Sequence, residues 1–357
     1  MANRVRTVVG VLLGVVLLWV LFRGTDWQVL RAAIGRAEPG WLLLALALGF
    51  ASLFARVQRW SYVVRTTHPA TFRSLFSAVQ IGLAVNLAIP ARLGDLVRGF
   101  VLARLARISF ARCLALVVLD RINDILALVS VLFVTLAAFP TDTDIHFASD
   151  TFGNPEPFVV SSSLMRPTVI TLGIGLLVAT LVLVFLYFRQ SFVVALLDRT
   201  IGKVSATLAA KLRKIFLNVA DGMHVFRSAA DLVKAALFSL LTWALVALSL
   251  AAILRAFHLE FPWYGPLLVL SILGIFTSVT VTPGMVGQYH VPVVAALLMI
   301  APLMDPSEAK AVAIVAHIVA IIPPTVLGLY SMLREGLRVS DLAPGLSGAT
   351  SRSSSQR

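Results

Sequence analysis

The residues best able to do chemistry in this chain are charged side chains set in apolar sequence. Asn86-Leu-Ala-Ile-Pro90-Ala-Arg92-Leu-Gly94-Asp95-Leu-Val-Arg98 is followed by Asp120-Arg121-Ile-Asn-Asp124. On a helix counted from Arg112, Asp120 lies about 12 Å and Asp124 about 18 Å along the axis, within hydrocarbon depth if the segment crosses a membrane. A charge near the centre of such a helix costs roughly 2.5–3.5 kcal/mol on insertion scales, so these groups must face a protein interior or a wet cavity. Asp120 and Asp124 are four apart and share a face, with Arg121 placed to pair with Asp124. One reading is a buried ion-pair network that locks helices together. The other is a polar cavity for a charged headgroup. From Arg92 to Asp124 the arginines outnumber the carboxylates, and spare guanidiniums suit phosphate through bidentate hydrogen bonds. Arg92, Arg98 and Arg121 are then the expected headgroup contacts, with Asn86 beside them. Asp95, Asp120 and Asp124 orient the bases or titrate. Plain anchoring at the membrane surface remains the other reading of Arg98, Arg104 and Arg107.

A second segment reads Thr282-Pro283-Gly284-Met-Val-Gly287-Gln288-Tyr289-His290. Proline lacks an amide proton and glycine tolerates open backbone, so a helix breaks at Pro283-Gly284, with Gly287 close behind. The next helix starts with free backbone N–H groups that can receive an anion; a plain turn between helices is the alternative. Gln288 adds a polar contact, and His290, with a reference pKa near 6.5, can respond to pH. With Pro90 and Gly94 this makes two interrupted elements, one in each half of the chain, which points to a transporter binding site. The histidines are scattered with no metal-ligand spacing, and Cys113 is the single cysteine, so neither a metal nor another cofactor is expected.

The elements that carry these groups are apolar blocks: Val8–Phe22, Trp41–Phe54, Ile125–Phe139, Thr168–Phe188, Ala235–Leu254, Phe261–Val281 and Ala311–Leu333. About 20 apolar residues span the hydrocarbon core as a helix, and none of the blocks alternates as a membrane β-barrel does. Only 13% of the 357 residues are charged, against about 25% in soluble domains. The fold class is therefore all-α, a polytopic helical membrane bundle. The net charge of +13 collects at block ends, as the positive-inside rule and anionic lipid headgroups favour, and does not call for nucleic acid.

Charge placement also predicts topology. Arg4 and Arg6 hold the N-terminus in the cytoplasm; the first block resembles a signal peptide but lacks a small-x-small cleavage site directly after it, so it reads as a retained span. Span 2, about 41–61, returns beside Arg56, Arg59, Arg65 and Arg73. Were Leu75–Pro90 a full crossing, Arg92, Arg98, Arg104, Arg107 and Arg112 would sit outside, so a re-entrant or broken helix pair is preferred. Spans follow from Arg112 to Phe139, over Thr168–Phe188, and near 235–257, 261–282, 286–303 and 309–333. That is about eight crossings, with both termini cytoplasmic in a multi-pass protein of the inner membrane. Apolar residues recur at helical spacing among basic ones over about 192–220, as in an amphipathic surface helix or one packed on the bundle. Residues 1–340 form the transmembrane unit and 341–357 a disordered tail.

Asn86…Pro90-x-Arg92-x-Gly94-Asp95…Arg98, Asp120-Arg121-x-x-Asp124 and Thr282-Pro283-Gly284-x-x-Gly287 together resemble the transmembrane domain of lysylphosphatidylglycerol synthases, found also in stand-alone flippase-like membrane proteins. The likeness covers about residues 5–335. It implies a helical bundle tied to lipid translocation or lipid-linked glycan pathways. Asp95 and Asp120 stand where that family usually has Glu, and His290 where an acidic residue commonly follows the Pro-Gly motif. The sequence carries no soluble aminoacyl-transferring domain, so it is not expected to make aminoacyl lipid. The leading expectation is a transporter or flippase whose partners are anionic or lipid-linked membrane lipids. A non-transporting scaffold of cell-envelope assembly, with a second copy or an envelope-synthesis protein as partner, and a membrane-embedded enzyme on lipid-linked substrates are the alternatives.

Overall fold

The computed structural model describes residues 2–65, 69–89, 92–140, 144–147, 229–277 and 281–342, with scattered positions between 158 and 200. It is an all-α polytopic membrane protein. The chain runs α1 (Ala2–Phe22), α2 (Trp27–Arg36), α3 (Pro39–Arg65), α4 (Phe72–Ala88), α5 (Gly94–Ala106) and α6 (Phe110–Ala138). A two-stranded antiparallel ribbon of β1 (Ile145–Phe147) and β2 (Phe158–Val160) follows. The remainder is α7 (Ala229–Ala256), α8 (Gly265–Thr277), a 3₁₀ turn at Pro283–Met285, α9 (His290–Ile300), α10 (Pro306–Arg334) and a 3₁₀ turn at Val339–Leu342.

Local chemistry sets the boundaries. Asp26 caps α2 by accepting from the Gln28 and Val29 amides at 2.8 and 3.2 Å. Gly24, at φ 73°, lets the chain turn from α1 into α2, and the two helices meet at 94°. Asp305 caps α10 through the Ser307 amide at 2.7 Å, and Ser307 Oγ in turn accepts from the Asp26 amide at 3.0 Å. Two helix starts are thereby tied together. Each cap satisfies donors that a helix N-terminus leaves without an internal partner.

Two apolar cores organise the bundle. One gathers Val57, Trp60, Leu75, Val79, Val97, Leu102, Leu116 and Leu119 from α3 to α6, closed from below by Leu337 and Leu342. The other gathers Leu250, Ile253, Leu270, Leu273, Val293, Leu297, Val312 and Ala316 from α7 to α10. The long helices α3 and α7 pack along each other, and Ser249 Oγ donates to the Ala45 carbonyl at 2.8 Å. Within α10, Pro323 and Pro324 are consecutive, and Pro323 packs where Gly49 of α3 leaves room.

Both sequence-read interruptions are helical hairpins. α4 has 17 residues and α5 has 13, and α5 at about 20 Å is shorter than the hydrocarbon core. Gly82 lies against Gly94 and Arg98, so the second helix folds back on the first. Pro90 lies outside the described residues. In the other hairpin α8 has 13 residues and α9 has 11, and Gly265 packs on Ile300 while Gln288 bonds to the Phe276 carbonyl. The segments expected near 261–282 and 286–303 pack together as two helices on either side of a break, with non-helical backbone at Val281–Thr282 and at Gly284, φ 62°; Pro283–Ile300 is nevertheless long and apolar enough to cross a membrane.

Among the described residues, four helices are long and apolar enough to cross a membrane, or five if the bent α1–α2 pair is one span, against about eight expected. The expected crossing over 168–188 and the surface helix over about 192–220 fall largely outside the described residues, as does the tail beyond Leu342.

At Gly94 an added methyl would collide with the Gly82 carbonyl and the Asn86 amide, whereas at Gly35 nothing lies within 4 Å. Gly94→Ala should therefore destabilise the protein by about 1–3 kcal/mol, as overpacking does, and Gly35→Ala should not. Thermal unfolding of both variants in the same detergent checks this.

Candidate functional site

The centre of the molecule is a network of guanidiniums and carboxylates drawn from three helices. On α6, Asp120, Arg121 and Asp124 share one face by their spacing. On α3, Arg56 and Arg59 do the same. Arg59 Nε meets Asp120 Oδ1 and its Nη1 meets Asp124 Oδ1, both at 2.8 Å. Arg98 Nη1 meets the other oxygen of Asp120 at 2.7 Å, and its guanidinium lies 3.7 Å from the Trp60 ring centre. Arg59, Asp120 and Arg98 form the buried layer, with 0%, 1% and 4% of their surface exposed.

A second layer stands in front of it. Asp124 Oδ2 accepts from Arg56 at 3.1 Å and from Arg121 at 3.3 Å. Arg121 also grips Asp95 with two donors, Nε at 3.0 Å from Oδ2 and Nη2 against Oδ1. Asn86 organises the first break. Its side-chain oxygen accepts from the Gly94 amide at 2.8 Å, so that α4 caps α5, and its nitrogen reaches Asp95 at 3.3 Å. Gln288 does the same for the second break, accepting from the Val281 and Thr282 amides at 3.0 and 3.4 Å and donating to the Phe276 carbonyl at 2.6 Å.

Arg92 joins the two breaks. It sits at φ 53°, in the left-handed region, and its Nη2 donates to the Thr277 carbonyl at the end of α8 at 2.7 Å. A cation is favoured there, where a helix leaves carbonyls unsatisfied. No carboxylate pairs with Arg92 among the described residues.

These groups border a cavity of about 410 Å³ reached by residues of both cores, a size suited to a small ligand. Arg56, Arg92, Arg121, Asp124 and Asn86 form its charged end, and Leu53, Leu87, Leu128, Val246, Leu250 and Leu273 are among its apolar walls. His317 also lines the cavity, stacked on Tyr289 at 4.8 Å and bonded through Nε2 to the Gly284 carbonyl at 2.8 Å. The arrangement offers arginine donors and an apolar wall to the same ligand.

Comparison with known proteins decides the family. A model described as the lysylphosphatidylglycerol synthase TM region matches residues 7–328. The chain belongs to that family. It is similar to "Glycosyltransferase AglD" of Haloferax volcanii, at 26% identity over 348 residues, covering 93% of this chain and 54% of that protein. It is also similar to "UPF0104 membrane protein" of Methanothermobacter thermautotrophicus, at 29% identity over 114 residues, 31% of this chain and 34% of that protein. The chain therefore spans about half the length, or less, of these curated relatives.

Of the residues singled out by sequence, this member of the family brings Asn86, Arg92, Arg121 and Asp124 to the cavity wall. Asp95 stands beside them, bound to Arg121. Arg98 and Asp120 lie behind the wall, so Arg98 neither anchors at a surface nor lines the cavity. Gln288 serves the backbone of the second break. His290 is buried, its Nδ1 accepting from the Gly287 amide at 3.2 Å and its ring 4.7 Å from that of His317. Gly287, at φ 76°, is one of the points where α1 touches the break, since a methyl there would strike Leu17, and Gly10 and Gly14 of α1 lie against Val281 and Val286.

Three contributors escaped the sequence reading. Arg56 and Arg59 were expected to mark the cytoplasmic end of a span; they are instead interior members of the network, because α3 continues to Arg65 and carries them inward. Their spacing of three, beside Trp60, is the signal that pairs them on one face. His317 sits alone in an apolar run, and an ionisable side chain at such depth is itself the signal.

Replacing Asp120 by Asn strands the buried Arg98 guanidinium and leaves Arg59 with Asp124 alone, which should cost about 3–5 kcal/mol. Asp95 has 21% of its side chain exposed, so Asp95→Asn should cost clearly less. Unfolding midpoints of the two variants, measured side by side, check the order.

Proposed function

We propose that the cavity binds the anionic headgroup of a membrane lipid or lipid-linked substrate, and that the protein translocates it. Membership of a family named for the membrane region of a lipid-modifying synthase supports a role in handling lipids or lipid-linked substrates. The observation that carries the proposal is Arg92, a cavity-lining cation with no carboxylate partner among the described residues, lining with Arg56 and Arg121 an apolar-walled space beside the two breaks. Guanidiniums in that position offer bidentate donors to phosphate, and the leucine and valine walls suit an acyl or prenyl chain. Asp95 and Asp124 hold Arg56 and Arg121 in place, while Arg59, Arg98 and Asp120 brace them from behind.

The protein in this reading sits in the inner membrane with both termini on the cytoplasmic side, as Arg4, Arg6, Arg334 and Arg338 favour. Its partners are the lipids themselves. A scaffold for envelope assembly, alone or with a second copy, has no use for the cavity. The enzyme alternative draws on the printed name of the Haloferax volcanii relative, a glycosyltransferase. It requires a covalently altered lipid after incubation of the pure protein with lipid-linked sugar, read by mass spectrometry.

Arg92→Ala removes the headgroup contact without stranding a carboxylate, so the variant should fold. Reconstituted into vesicles, it should translocate fluorescent anionic lipid at least tenfold more slowly than the parent protein. Equal rates in the two would end the headgroup role of Arg92.

A further inference from the structure

Charge balance around the cavity narrows the substrate class. Five guanidiniums, of Arg56, Arg59, Arg92, Arg98 and Arg121, stand in or against a network with three carboxylates, of Asp95, Asp120 and Asp124. Every carboxylate is already engaged. Asp120 serves Arg59 and Arg98, Asp124 serves Arg56, Arg59 and Arg121, and Asp95 serves Arg121. Nothing is left for Arg92. Behind the wall, Arg59 Nη2 and Arg98 Nε and Nη2 find no acceptor among the described residues. The other titratable groups facing the space, Tyr289 and His317, with His290 behind them, bring no negative charge near neutral pH. At the end of α10, Glu335 is closed off separately by Arg73, Arg334 and Ser77. Among the described residues two positive charges therefore remain over, in surroundings where salt screens poorly.

We infer that the headgroup taken by this cavity carries two negative charges, which makes the substrate a lipid phosphomonoester or diphosphate and not a singly charged phosphodiester. The inference rests on the headgroup reading above and sharpens it. A phosphomonoester also presents three oxygens at one end, matching the three arginines on the wall. Its second ionisation lies near pH 6, so one ligand passes from one charge to two within the range in which a protein can be studied.

The test uses the full chain in neutral detergent, with phosphatidic acid, phosphatidylglycerol of the same acyl chains and inorganic phosphate as probes, from pH 5 to pH 8. Phosphatidic acid should bind at least tenfold more tightly than phosphatidylglycerol at pH 8, about 1.4 kcal/mol, and the preference should shrink toward pH 5. Asp124 and His317 face the same space; a proton gained by either toward pH 5 adds positive charge and would raise the preference for the more charged lipid, so a preference that shrinks toward pH 5 is the ligand's own. Inorganic phosphate should bind weakly, since it cannot use the apolar walls. Arg92→Gln removes one surplus charge and should lower the preference; should that variant fail to fold, the pH series on the parent protein decides alone. Equal binding of both lipids at pH 8 overturns the inference and leaves the headgroup reading standing. Binding of neither lipid overturns both. Inorganic phosphate binding as tightly as phosphatidic acid overturns the assignment to a lipid.

Discussion

Arg59 reaches from α3 to two carboxylates one turn apart on α6, and the rest of the interior is arranged around that grip. A guanidinium with 0% exposure is tolerable only where its charge is met and most of its donors are used. Asp120 and Asp124 meet it, and each then has lone pairs for a further arginine, which recruits Arg98 from α5 and Arg56 and Arg121 from α3 and α6. The network therefore fixes the register of three helices at once. Slide α6 by one residue along α3 and both carboxylates leave the face that Arg59 can reach.

The cavity follows from the same constraint. The cavity lies where the two apolar cores meet, its wall drawn from α3, α4 and α6 on one side and from α7, α8 and α10 on the other. Asn86 and Gln288 serve the backbone beside each break with side-chain amides, Asn86 taking the Gly94 amide and Gln288 the Val281 and Thr282 amides and the Phe276 carbonyl. Arg92 bridges the tips from a left-handed conformation that costs a non-glycine residue about 1–3 kcal/mol. Such strain persists where surrounding contacts over-determine it, and the bond to the Thr277 carbonyl is one such contact.

How far the sequence discloses this arrangement depends on how unambiguous each burial is. Asp120, Arg121 and Asp124 were legible because carboxylates deep in an apolar run have few tolerable fates. Pro283 and Gly284 were legible as a break because their backbone limits are intrinsic. Arg56 and Arg59 were not, since an arginine near the end of an apolar block satisfies the positive-inside rule equally well, and only the contact with α6 distinguishes the two cases. The break between α8 and α9 was legible, but hydropathy alone does not say how short the helices beside it are, 13 and 11 residues. Arg98 illustrates the converse: its type suited a headgroup, yet the Trp60 ring and Asp120 claim it from two sides.

The paired prolines of α10 bear on how this interior responds to an occupant. Neither Pro323 nor Pro324 has an amide proton, so the carbonyls of Val319 and Ala320, one turn earlier, lack their helical donors. Val319 and Ala320 both border the cavity. Bending the helix at that turn costs fewer backbone hydrogen bonds than elsewhere, because these two are absent already. The cavity is thus bordered by a turn of α10 that lacks two backbone hydrogen bonds, while the helices at its charged end are cross-linked by ion pairs.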